Sequence, residues 1–158
     1  MRALIARLNY LLGWSLFYTL ARYSEPLHRF AMGRLRRASD RGDAKARTFY
    51  GTLLYYRGVG PSSLQAGFDY LLQAAQQGDI QAQFQVAEAY ARGHVVGINP
   101  DYPKALQFYV RAAEAGHVMA ALRLAKAFEN GALDLTPDPV QAQTWMNKFL
   151  EKGQALHE

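Results

Sequence analysis

Cysteine is absent from the 158 residues. That removes disulfides, thiolate nucleophiles and cysteine-ligated zinc, while leaving the compartment open. Histidine is sparse: His28, His94, His117 and His157 stand at spacings unlike any metal-ligand pair on one helix face, so they read as solvated or capping residues and no metal site is expected. Carboxylates are scattered singly, and neither a serine nucleophile elbow nor a paired acid and base on neighbouring turns is present. Gly58-Val59-Gly60 resembles part of a phosphate-binding loop, but the third glycine or Gly-Lys step that such loops need is missing. No catalytic site and no cofactor are therefore expected. Long apolar runs are missing too. The longest uncharged stretch, residues 8 to 21, has 14 residues, and a membrane-spanning helix takes about 20.

Half of the residues are hydrophobic, enough for one buried core or a short repeat array. Charge is unevenly placed: residues 1 to 60 hold eleven Lys and Arg against three Asp and Glu, a net +8, and residues 61 to 158 hold seven against ten, a net −3. A basic end of this kind attracts acidic protein, anionic lipid or nucleic acid.

Self-similarity is the dominant feature. RRASDRG, LLQAAQQG, VRAAEAG and KFLEKG end at Gly42, Gly78, Gly116 and Gly153, spaced 36, 38 and 37 residues apart. A second series, LYYRG, AYARG and AFENG, ends at Gly58, Gly93 and Gly131, spaced 35 and 38 apart. Two interleaved series mean two elements per repeat. Ala105, Phe108, Tyr109, Ala112 and Ala113 make the stripe of an amphipathic helix, as do Ala121, Leu124, Ala125 and Phe128 before Gly131. Helices are expected over 26–41, 43–57, 64–77, 79–92, 101–115, 117–130 and 138–152. The Ala pairs at 74–75 and 112–113 permit close helix approach, and Tyr70, Phe108 and Trp145 fill matching gaps between hairpins. A hairpin that cannot bury its apolar face alone must stack on its neighbour. The expected fold is all-α, a right-handed α-solenoid of helical hairpins with about three repeats plus terminal helices.

GDAKARTFYGTLLYYRGVG from Gly42, GDIQAQFQVAEAYARG from Gly78 and DYPKALQFYVRAAEAG from Asp101 resemble the helix and loop signatures of the Sel-1-like repeats, relatives of the tetratricopeptide repeats. The resemblance covers roughly residues 26 to 153. It implies a curved helical stack that acts as a protein-binding scaffold or adaptor, often in bacterial signalling, envelope or host-interaction systems. Both ends depart from the pattern. Arg34 stands where later repeats have Tyr70, Phe108 and Trp145, the last repeat lacks a second helix, and Phe149 and Leu150 replace the Ala pair.

Residues 1–25 form an N-terminal apolar segment ahead of the array at 26–153 and a tail at 154–158. Its readings are a degenerate repeat helix, a signal with a cleavage option at Ala21, a membrane-associated helix or a dimerising helix. Leu12-Gly13-Trp14-Ser15-Leu16 mirrors Tyr50-Gly51-Thr52-Leu53-Leu54 and favours the first, with Leu12, Leu16 and Leu20 packing on the first hairpin. The compartment is open, with the cytoplasm ahead of the periplasm or a membrane surface, and the oligomeric state is undetermined.

Five residues before each first-series glycine stand Arg37, Gln73, Arg111 and Lys148. Equivalent residues of stacked repeats form a row; the resemblance implies that the helices carrying it line the concave side, where an acidic protein partner is expected, with Arg34 and Arg36 extending the row. The alternative is a nucleic-acid or anionic-lipid binder that uses the basic N-terminal half; stacking aromatics beside the charge, which a nucleic-acid surface needs, are not evident.

Overall fold

In the computed structural model, residues 2–19, 25–93 and 99–154 are described. Among them are eight helices and no strand: α1 (Arg2–Thr19), α2 (Glu25–Asp40), α3 (Ala44–Arg57), α4 (Pro61–Gln76), α5 (Ile80–Arg92), α6 (Tyr102–Glu114), α7 (Val118–Asn130) and α8 (Pro139–Gln154). They fall into two compact units, Met1–Asp79 and Ile80–Glu158. Leu20, Ala21, His94 and His157, singled out above, lie outside the described residues.

The first-series glycines owe their recurrence to backbone geometry. Gly42, Gly78 and Gly116 have φ of 95°, 90° and 95°, a region that side chains disfavour. At each, the glycine N–H donates to the carbonyl three residues back, and the next N–H donates to the carbonyl five residues back. For Gly116 and His117 these bonds reach Ala113 at 3.0 Å and Ala112 at 2.8 Å. Such a Schellman turn satisfies the orphan carbonyls of the finished helix. The following residue opens the next helix: the Asp43 carboxylate accepts from the Ala46 N–H at 2.8 Å, and the His117 ring accepts from the Ala120 N–H at 3.2 Å. Gly153 differs, because it lies inside α8.

Alanine dominates both cores. Ala31, Leu35, Ala38, Phe68, Leu71, Ala74 and Ala75 are buried in the first unit, and Val86, Ala105, Phe108, Tyr109, Ala112, Ala113, Ala120, Ala121, Leu124, Ala125 and Trp145 in the second. Packing is closest between α1 and α2, α3 and α4, α5 and α6, and α7 and α8. This corrects the expected hairpin phase, since three of the four tightest pairs straddle the second-series loops and α8, rather than being left over, pairs with α7. The cause in the first unit is glycine. A Cβ on Gly67 would lie 2.5 Å from the Tyr55 backbone nitrogen, and one on Gly51 would lie 2.9 Å from the Gly67 carbonyl oxygen, so α3 and α4 meet backbone to backbone.

The N-terminal segment forms α1 and packs on α2, where a Cβ on Gly13 would reach Leu35 and the Ala31 carbonyl. Its Asn9 accepts from Arg34, and Phe17 meets Phe49 edge to face at 5.5 Å. Leu16 is half-buried, but Leu12 faces outward with Leu4, Leu8, Leu11, Trp14 and Tyr18. Gly13 and Asn9 turn inward instead, because only a small residue fits against α2 and because Arg34 needs an acceptor.

Candidate functional site

The four equivalent positions lie on the second helix of each tightly packed pair, Arg37 on α2, Gln73 on α4, Arg111 on α6 and Lys148 on α8. Arg37, Gln73 and Arg111 are exposed, and Lys148 is half-buried. One helical turn before each comes the gap-filling position. In the second unit this places a cation over an aromatic ring twice. The Arg111 guanidinium lies 5.8 Å from the centroid of Phe108, and the Lys148 ammonium lies 4.4 Å from that of Trp145. A stem laid on a buried ring has already lost much of its rotamer freedom, and the quadrupole of the ring attracts the charge. Both side chains thus meet a partner with less ordering left to do. Sequence reading aligned each residue type correctly but did not pair the row with the rings, although the i, i+3 spacing was available as a signal.

The first unit is electrostatically different. Arg36 pairs with Asp40 at 3.8 Å, and Arg47 Nε donates to the Ser39 carbonyl at 2.9 Å. Tyr70 donates to Asp40 at 2.6 Å; burial first, then that bond, push its phenol up to about 12. Asp40, Arg47, Asp69, Tyr70 and Gln73 line a cavity of about 360 Å³, so Gln73 borders two carboxylates and one cation. Arg34 is half-buried and bound to Asn9, and its guanidinium lies 5.2 Å from the Phe30 centroid. It is therefore less accessible than Arg36 and Arg37, which are exposed.

Sequence reading missed one charged group entirely. Glu88 on α5 is 7% exposed, and its carboxylate accepts from the Tyr109 hydroxyl at 2.7 Å, from Arg123 Nε at 2.8 Å and from Arg92. Burial, and then that bond to Glu88, push the Tyr109 phenol far above its ordinary range. His117 stacks on Phe84 at 4.3 Å and shares a contact of 3.2 Å between Nε2 and Gln81; burial lowers its pKa. Because Nδ1 accepts from a backbone N–H, the ring proton belongs on Nε2. Among the described residues, no His, Asp and Glu group is arranged to hold a metal ion, and no helix is long and apolar enough to cross a membrane.

The Sel1 repeat profile matches residues 44–79, 80–117 and 118–154, more than half of the chain. Each match begins at or just after a Schellman turn and covers one of the tightly packed helix pairs α3 and α4, α5 and α6, or α7 and α8. Among solved structures, a Sel1 repeat protein from Oxalobacter formigenes is 28% identical with a TM-score of 0.78, over 92% of this chain and 58% of that one. A protective antigen of uropathogenic Escherichia coli, c5321, which displays the same repeat fold, is 23% identical with a TM-score of 0.80, over 94% of this chain and 31% of that one. The immunity protein Pa5087 of Pseudomonas aeruginosa is 24% identical with a TM-score of 0.60, over 75% of this chain and 44% of that one; these last two show the fold alone. This chain thus spans less than two thirds of the length of each. With three repeats in phase and the turn geometry that explains their spacing, the chain belongs to the Sel1 repeat family.

Proposed function

We propose that this protein is a non-enzymatic scaffold that holds an acidic protein partner on the exposed faces of α2, α4, α6 and α8. Sel1 repeats generally mediate protein interactions, and the repeat architecture supports that reading. The observation that carries the finer step is the pair of cations already laid on buried rings, Arg111 over Phe108 and Lys148 over Trp145. Arg37 and Gln73 offer the corresponding contacts in the first unit, Arg36 adds charge beside them, and Arg34 acts through its field because its guanidinium is engaged by Asn9. Complementary charge raises the encounter rate and selects against basic partners.

Capture from a bacterial lysate by the tagged chain, compared with the double variant Arg37→Glu and Arg111→Glu, tests this. Both residues are exposed, so the fold should persist. Partners should be retained by the wild type at low salt, lost by the variant and weakened by salt. Identical capture by the folded variant refutes the acidic-partner reading.

A second reading, docking on an anionic lipid surface, has one observation in its favour. The outward face of α1 presents Leu4, Leu8, Leu11, Leu12, Trp14 and Tyr18, with the part-exposed Arg7 one turn before Leu11, at the basic end of the chain. Co-sedimentation with phosphatidylglycerol vesicles, reduced in Leu8→Asp with Leu11→Asp, would support it; no sedimentation of the wild type would remove it.

A further inference from the structure

In the second unit, a cavity of about 340 Å³ opens where α5, α6, α7 and the turn after α7 meet. Its charged lining is Glu88, Arg92, Arg123 and Lys126, with Asn130 and the Tyr109 ring beside them. Glu88 is the single carboxylate against three cations. Its side chain is 9% exposed and already engaged by Tyr109, Arg92 and Arg123, whereas the side chains of Arg92 and Arg123 are 50% and 47% exposed. Each arginine therefore spends one edge on Glu88 and keeps further N–H donors free to face the cavity. Among the described residues Lys126 has no ion pair, and it is exposed. Two positive charges remain uncompensated around an opening whose two arginines are oriented by a buried anion.

The repeat does not require this arrangement. At the position five residues before a second-series glycine, where Glu88 stands, the other repeats have Leu53 and Lys126. At the position seven residues before a first-series glycine, where Tyr109 stands, they have Leu35, Leu71 and Met146. The buried carboxylate and the hydroxyl that bonds it thus occur together in one repeat, at positions otherwise apolar or basic. A buried ion cluster is weak support for stability, since an apolar pair of similar size serves the core as well. The rest of the lining is apolar: Ala91 and Ala127, interleaved with the charged residues of α5 and α7, and Ala132 and Leu133 in the turn after α7. Leu133 is held at φ 60°, a left-handed conformation that a branched side chain rarely adopts, at the edge of the opening.

We propose that this cavity is a binding site for a carboxylate on a short aliphatic stem, with Arg92, Arg123 and Lys126 contacting the anion and Glu88 acting as the positioning residue that orients the two guanidinium groups. A lining that combines three cations with small apolar side chains matches a ligand that carries both a carboxylate and a short aliphatic stem. A bare phosphate uses only half of such a site. The carboxylate can come from an acidic side chain of a partner protein or from a free dicarboxylate. The site lies apart from Arg111 and Lys148, so it stands or falls independently of the scaffold reading.

Nuclear magnetic resonance titration of the full chain at low ionic strength tests it, with glutarate, inorganic phosphate and the capped peptide acetyl-Ala-Glu-Ala-Glu-Ala-amide as probes. Glutarate should shift amides around residues 88–92, 123–130 and 132–133 saturably, and phosphate should bind about tenfold more weakly or worse. If the peptide shifts the same amides, the source is a partner chain; if glutarate alone does, the source is a free dicarboxylate. Lys126→Met and Arg92→Gln, both at solvent-accessible positions, should each weaken glutarate about tenfold with the rest of the spectrum unchanged. Glu88→Gln keeps the shape but loosens the guanidinium groups, and should broaden the Arg92 and Arg123 side-chain signals. Arg111→Glu with Lys148→Glu should leave glutarate binding intact. The proposal is overturned by phosphate binding as tightly as glutarate, by shifts elsewhere or nowhere, or by unchanged affinity in the folded Lys126→Met chain.

Discussion

Replacing Gly67 with alanine should destabilise the first unit, although alanine is the better helix former. Gly67 sits within α4, and its added Cβ would meet the Tyr55 nitrogen at 2.5 Å and both the Tyr55 Cα and the Gly51 carbonyl oxygen at 2.8 Å. All three are backbone atoms of α3, which cannot swing aside as a flexible side chain would. The two helices must separate, loosening the contacts of Leu71, which is fully buried beside them. Overpacking of this kind costs about 1 to 3 kcal/mol, and three contacts below 3.0 Å place Gly67 at or beyond the upper end. Helix propensity returns about 1 kcal/mol. The net loss is about 2 kcal/mol, equivalent to a melting temperature lower by about 10 °C for a unit of this size. Gly33→Ala is the internal control: it lies within α2 with nothing within 4 Å of its added Cβ, so it should gain about 0.5 to 1 kcal/mol. Urea and thermal unfolding followed by circular dichroism measure both. A Gly67→Ala chain as stable as the wild type, or a Gly33→Ala chain as damaged as Gly67→Ala, would refute backbone-to-backbone packing of α3 on α4.

Glu88→Ala strips the acceptor from the buried Tyr109 hydroxyl and leaves Arg92 and Arg123 repelling each other; solvent screens the arginines, so a loss of about 2 kcal/mol is expected in urea unfolding. Stability should also fall with acid through His117. Its folded pKa is depressed by burial below the ordinary 6.5, so as the pH drops beneath 6.5 the unfolded chain takes up a proton that the folded chain refuses. Melting temperatures between pH 7.5 and 5, about a unit to either side of that ordinary value, should decline in the wild type and stay flatter in His117→Asn, which retains a capping oxygen. Leu71→Ala, at a position with no exposure, should cost about 2 to 5 kcal/mol.

Much of the fold was legible because its signals are local. The seven helices expected from apolar stripes and glycine stops fall within about three residues of α2 to α8. The burial of Ala105, Phe108, Tyr109, Ala112 and Ala113 follows the predicted stripe, while Phe128 at the end of the other is half-buried. Hairpin phase was less legible, because the glycine series marks where helices end and not which neighbour each one packs on. That choice rests on Gly51 meeting Gly67, a contact between helices that periodicity does not encode. On α1 an apolar residue on every side left the buried face undefined, and Leu12 faces outward. The Glu88 cluster was invisible for a similar reason. Two of its three partners, Tyr109 and Arg123, lie 21 and 35 residues away and occur once, so no repeat pattern announces them. The row Arg37, Gln73, Arg111 and Lys148 was legible as residue types at fixed spacing, but its cation–ring pairs depend on side-chain direction.

The scaffold account is tested most directly by site-specific photo-crosslinking in the native cellular background. A photoreactive side chain at Gln107 lies one turn before Arg111 on α6 and is exposed, while one at Met119, also exposed, lies on α7. The account predicts that Gln107 captures an acidic protein, that Met119 does not, and that Arg111→Glu with Lys148→Glu abolishes the crosslink. Capture from Met119 alone, or a Gln107 crosslink that survives the double substitution in a folded chain, would contradict it.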